Sequence, residues 1–131
     1  MDEYPCQPGL ALFNSGRFFD AHEALEDVWR EAPRHSHLRR HLQGLVQLAV
    51  AFHHQSTGNL VGARSVLERA LRNLNGAEES FPALDLESLR TGLKPWRMYL
   101  ADACRKSSSL RPPSGQSPPK LPKVQLHHQA R

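Results

Sequence analysis

Apolar positions along this chain recur at three- and four-residue spacings, and no segment alternates apolar with polar residues in strand fashion. The pattern therefore predicts helices and no sheet. Five segments are readable. The first opens at Pro8 and closes at Asn14-Ser15-Gly16, and the second runs from Arg17 to about Glu31, ahead of Pro33. The third spans about His35 to Ser56 and ends at Thr57-Gly58-Asn59. The fourth covers Leu60 to about Leu74 and stops at Asn75-Gly76; the fifth is capped by Asp85 and reaches about Cys104, with Gly92 and Pro95 as irregularities. Glycine or asparagine after the last periodic residue, and proline beyond it, are the stop signals used throughout.

The third segment sets the architecture. Leu42, Leu45, Val46, Leu48, Ala49, Val50, Ala51 and Phe52 cover nearly its whole circumference, and a helix apolar all round is a buried one. It is expected at the centre of a compact all-α bundle of about five helices. An internal echo supports paired hairpins: Gly16, Ala21, Leu25 and Glu26 repeat as Gly58, Ala63, Leu67 and Glu68, offset by 42 residues. The pattern resembles tetratricopeptide-like hairpin repeats, but two copies fall short of the roughly three such arrays need.

Composition divides the chain. From Arg105 to Arg131 there are six Lys/Arg, no Asp/Glu, five Pro and five Ser, which predicts a helical domain over 1–105 and a disordered basic tail over 106–131. The whole chain carries 17 basic and 13 acidic residues, so residues 1–104 hold 11 against 13, a net charge of −2. The basic balance thus belongs to the tail, and no sequence-specific nucleic-acid surface is expected on the fold. Cys6 and Cys104 lack metal-type spacing and read as reduced thiols. With no secretory pattern at the start and no apolar run of membrane-spanning length, the expectation is a cytoplasmic chain without membrane partners. Helix packing between copies offers a route to a homo-oligomer.

Candidate chemistry lies on the second and third segments. At about 100° per residue, Phe18, Phe19, His22, Leu25, Glu26 and Trp29 share an arc of about 120°. A carboxylate in an apolar stripe must be paired, hydrogen-bonded, metal-bound or protonated. Gln43, Gln47 and His54 fall within about 40° of one another on the third helix, and glutamine amides suit a carboxylate and an imidazole. If the two stripes face each other they form one buried polar site, with His22 and Glu26 as the candidate catalytic pair and Trp29, Gln43, Gln47 and His54 lining the pocket. Its alternative is a structural polar network that fixes helix register.

The motif His22-x-x-x-Glu26-x-x-Trp29 is preceded by Phe13-Asn14-x-Gly16-x-Phe18. It is followed by Gln43-Gly44-x-x-Gln47 and Gly58-Asn59-x-x-Gly62-Ala63. Together these resemble the domain-of-unknown-function 309 family over about residues 8–75. The resemblance implies a small all-α fold and a prokaryotic or plastid-type setting. It marks His22, Glu26 and Trp29 without naming a reaction.

Two function classes follow: a small-molecule-binding or catalytic pocket on the polar stripes, or a helical protein-interaction module with an exposed apolar patch and a purely structural cluster. No cofactor is identified. His22, Glu26 and His54 offer the two imidazoles and one carboxylate of some iron or zinc sites. His22-Glu23-x-x-Glu26 lacks the second histidine of a zinc-protease helix, so that chemistry is rejected and no metal ligand is assigned. His37 and His41 share a face at the start of the third helix, where a solvated helix end is expected.

Overall fold

The computed structural model describes residues 5–106 and 117–127, and among these it is all-helical, with five α-helices and no strand. They are α1 (Gln7–Asn14), α2 (Phe18–Glu31), α3 (His37–Ser56), α4 (Leu60–Asn73) and α5 (Leu86–Lys106), with a single 3-10 turn at Ala77–Glu79. Three of the five helix starts have a side-chain cap. Ser36 Oγ accepts from Arg39 N at 3.0 Å, Asn59 Oδ1 from Gly62 N at 3.0 Å, and Asp85 Oδ1 from Ser88 N at 3.1 Å. These are N-cap bonds that satisfy otherwise unpaired helix donors. α3 begins at His37 rather than His35 because His35 sits at φ 62°, a left-handed conformation that a right-handed helix cannot contain.

The internal echo is a structural repeat. Gly16 and Gly58 both adopt left-handed φ, 84° and 88°, one residue before the caps of α2 and α4. Ala21, Ala63, Leu25 and Leu67 are all buried. The hairpins α1–α2 and α3–α4 stack through α2 against α3, which makes α3 central as its pattern requires. Phe52 joins the layers: its ring centroid lies 6.1 Å from Phe13, 5.7 Å from Phe18 and 5.0 Å from Trp96 of α5. α3 is less fully enclosed than an all-round apolar helix suggests, since Val46 and Val50 are half-buried and Gln43 is exposed. α5 runs unbroken through Pro95; both Pro95 and Thr91, whose carbonyl would have bonded that N–H, face water.

Gly44 marks where α3 meets α4. A Cβ there would lie 2.8 Å from Leu74 Cγ and 3.2 Å from the Ala70 carbonyl oxygen, and Leu74 is itself buried. Overpacking of this kind costs about 1–3 kcal/mol, against about 1 kcal/mol gained when alanine replaces glycine in a helix. Gly44→Ala is therefore expected to lower stability, whereas Gly92→Ala, where an added Cβ meets nothing within 4 Å, raises it. Paired denaturant melts check the opposite signs.

The expected disordered tail over 106–131 needs a partial correction. Residues 117–127 hold a docked, extended position, with Pro122 and Val124 buried and their backbone bonded to the bundle. An extended proline-containing segment needs no internal hydrogen bonds, so composition does not reveal whether a surface receives it. Residues 107–116 and 128–131 lie outside the described residues, as does the His128 of the terminal histidine pair.

Candidate functional site: a cationic recess beside the His22–Glu26 face

On α2, His22 and Glu26 sit one turn apart, with His22 Nε2 3.5 Å from Glu26 Oε1. Arg30, a further turn on, places Nη2 3.5 Å from the same oxygen. The side chains of His22 and Glu26 are 25% and 33% exposed, so this pair is half-buried and reachable from solvent. Phe19, 50% exposed, borders it, its ring 5.6 Å from His22 and 5.4 Å from His53 of α3. Trp29 lies at the other end, with the Arg39 guanidinium 4.2 Å above its ring. Among the described residues, His22 Nδ1 and Trp29 Nε1 are buried without a hydrogen-bond partner. Such atoms are rare in folded proteins.

The structure divides the residues expected to form one cluster. Gln47 turns to α4, where its Oε1 accepts from Asn73 Nδ2 at 2.8 Å. His54 Nδ1 lies 3.4 Å from Asn59 Nδ2 at the α3–α4 turn. Gln43 is exposed and lines an open recess of about 460 Å³ with Arg34, His35, Ser36, Arg39, Arg40 and Asn73. The physical reason is angular: on one wheel, Gln47 and His54 lie toward the α4 flank of α3, whereas Arg39 and His53 reach the α2 flank. Among the described residues no three His, Cys, Asp or Glu side chains are grouped to hold a metal ion, so His22, Glu26 and His54 do not form a ligand set.

The recess is cationic. Arg39 donates from Nη1 to the Ala32 carbonyl at 2.9 Å. Arg40 reaches across to α4, donating to the carbonyls of Arg72, Asn73 and Asn75 at 3.3, 3.4 and 3.3 Å. Arg34 makes no hydrogen bond among the described residues. Nor is any of the three guanidiniums paired with a carboxylate there, a condition shared by Arg64, Arg69 and Arg72, whereas Arg17, Arg30, Arg90, Arg97 and Arg105 are paired. A guanidinium carries five N–H donors in a planar fork suited to carboxylate or phosphate, so much of this donor capacity is uncommitted. The N-terminus of α3 adds a positive dipole end to the same recess.

Against Arg40 lies His41, among the described residues the one buried polar residue, which the sequence reading left at a solvated helix end. The correction comes from the loop after α4: Ser80 covers the ring, its Oγ 2.6 Å from His41 Nδ1. Arg40 Nη2 lies 3.2 Å from His41 Nε2. Because arginine only donates, Nε2 is the acceptor, and Nδ1–H donates to Ser80. The ring is thus held neutral. Burial lowers its pKa from the ordinary 6.5, and Arg40 and His37 push the same way against Glu79 and a backbone contact at Asn75.

The sign of the resulting pH dependence follows. The unfolded chain binds the proton more readily, so stability rises with pH between the lowered value and 6.5. The contribution is fully present above 6.5 and is lost as pH falls through the folded value. The wild-type melting temperature should therefore fall more between pH 7.5 and pH 5.5 than that of His41→Gln. Equal pH slopes in the two chains would contradict the buried neutral ring.

The fold and site together define a small all-α bundle of two stacked helical hairpins with an arginine-lined recess at one end of its central helix. Residues 6–66 match the family model described as Domain of unknown function (DUF309), which bears out the resemblance read from the His22–Glu26–Trp29 motif. An "Uncharacterized protein" of Aquifex aeolicus (strain VF5) is 29% identical over 82 residues, covering 63% of this chain and 24% of its own length. The "Uncharacterized protein YpuF" of Bacillus subtilis (strain 168) is 33% identical over 79 residues, 60% of this chain and 45% of its own. The shared stretch thus spans less than half of either relative. No helix among the described residues is long and apolar enough to cross a membrane.

Proposed function

We propose that the protein binds a small molecule carrying an anionic group, held by Arg34, Arg39 and Arg40 in the recess at the start of α3. The observation that carries this reading is the three guanidiniums without a carboxylate partner among the described residues, around one open recess. Three residues singled out by sequence serve this site. Gln43 lines it, Gln47 holds the Asn73 that also lines it, and Trp29 supports Arg39 from below.

The uncharged part of the ligand extends along α2 toward the partly exposed side chains of His22 and Glu26. There the carboxylate and imidazole supply an acid–base pair for any reaction at the site. A cytoplasmic setting fits Cys6 and Cys104, which form no disulfide among the described residues.

Isothermal titration of the intact chain with inorganic pyrophosphate, at low and at moderate salt, tests the reading. One saturable site is expected, weakened as salt screens the guanidiniums. Absence of saturable binding at low salt would remove the anion site.

A further inference from the structure

Of residues 117–127, Val124 joins the hydrophobic core. Pro122 and Val124 are the buried side chains among them, with Val124 4% exposed, while Leu121 and Leu126 are left largely in water. Apart from Lys123 Nζ, which donates to the Asn14 carbonyl at 3.3 Å, the remaining attachment is through the segment's main chain. Asn14, the last residue of α1, clasps one residue from both sides: its Nδ2 donates to the Val124 carbonyl and its Oδ1 accepts from Val124 N, each at 2.8 Å. Trp96 Nε1 donates to the Lys120 carbonyl at 2.9 Å. The loop before α5 completes the grip, with Asp85 N donating to the Gln125 carbonyl and His127 N to the Ala83 carbonyl, each at 2.7 Å, as Leu84 and Leu126 form an antiparallel bridge.

A surface that binds backbone by an asparagine amide and a strand-like edge, and reads sequence through one or two apolar pockets, is how proteins recognise extended peptides. The segment also fills its surface incompletely. Open recesses flank it at both ends, one lined by Pro95, Tyr99, Ser117 and Pro119, the other by Leu10, Asn14, Val124 and Leu126.

We infer that the surface formed by Asn14, Ala83–Asp85 and Trp96 is a receptor for an extended polypeptide segment with a β-branched residue two positions after a proline. The chain's own Pro122-Lys123-Val124 is its resident, displaceable occupant. The partner is another protein presenting that pattern, and residues 117–127 compete with it from within the same chain. This site is separate from the arginine recess and stands or falls independently of it.

The probe is a fluorescent peptide of residues 117–127, followed by anisotropy against the full-length chain. Val124→Asp in the chain removes the resident anchor while leaving the receptor residues untouched. The peptide should bind this variant saturably and at least tenfold more tightly than it binds wild type. Asn14→Ala added to Val124→Asp should lose at least tenfold, because the two-sided backbone clasp is gone. Equal, non-saturating signals for wild type and Val124→Asp would overturn the inference. So would loss of the helical circular-dichroism signal in Val124→Asp, since the segment would then be part of the folding core. With wild type alone, excess unlabelled peptide should shift the Trp96 indole resonance and a peptide bearing Asp at the Val124 position should not; identical responses to the two peptides overturn it as well.

Discussion

Phe52→Ala is expected to remove most of the stability of this protein. Phe52 is the side chain where α1, α2, α3 and α5 meet, with ring contacts to Phe13, Phe18 and Trp96 and almost no exposure. Truncating a buried phenylalanine costs about 3–5 kcal/mol, the lost transfer energy plus a cavity the neighbours fill only in part. Against a total of about 5–15 kcal/mol for a domain, that is a large fraction. Phe13 and Trp96 meet this ring edge-on and Phe18 at a tilt, and each is fixed on a different helix, so the gap has no single side chain free to close it. Thermal melts should show a drop of about 15–25 °C. A shift of only a few degrees would mean that the hairpins and α5 are joined elsewhere.

The second large effect concerns binding. Arg34→Met should weaken anion affinity about tenfold while leaving the melting temperature nearly unchanged. Arg34 is exposed and makes no hydrogen bond among the described residues, so the fold loses nothing with it. A charge-assisted hydrogen bond is worth about 1.5–3 kcal/mol, which is about a tenfold to a hundredfold change in affinity. Arg39→Met should weaken binding as much or more, and it also removes the Trp29 stacking and the bond to the Ala32 carbonyl, so some stability goes too. Pyrophosphate titrations and melts on both variants separate the two effects. Unchanged affinity in Arg34→Met would count against the recess.

The helices and their hairpin pairing were legible because periodicity and punctuation are local. Gly16 and Gly58 stop one helix and admit the next by the same left-handed turn, and Asp85 caps α5 where its side chain demands it. The candidate site was legible only in part, for a reason of geometry. A helical wheel gives the angle between Gln43, Gln47 and His54 but not which neighbour each angle faces. A spread of tens of degrees put Gln47 against Asn73 of α4 instead of against Glu26.

His41 was missed because its cover, Ser80, arrives from a loop 39 residues later. Arg34, Arg39 and Arg40 gave no signal of a site, since nothing in sequence shows that Arg40 bridges to the end of α4. Residues 117–127 escaped notice because composition reports the lack of a core, and a docked extended segment has almost none of its own.

The account's central claim is that anions bind at Arg34, Arg39 and Arg40. Arginine side-chain Nε–Hε resonances, followed as inorganic pyrophosphate is added to the intact chain, test it most directly. The prediction is saturable shifts confined to these three guanidiniums, the Gln43 amide and the Trp29 indole, at one common dissociation constant. Small, linear shifts spread evenly over all the surface arginines, those paired with carboxylates included, would contradict it.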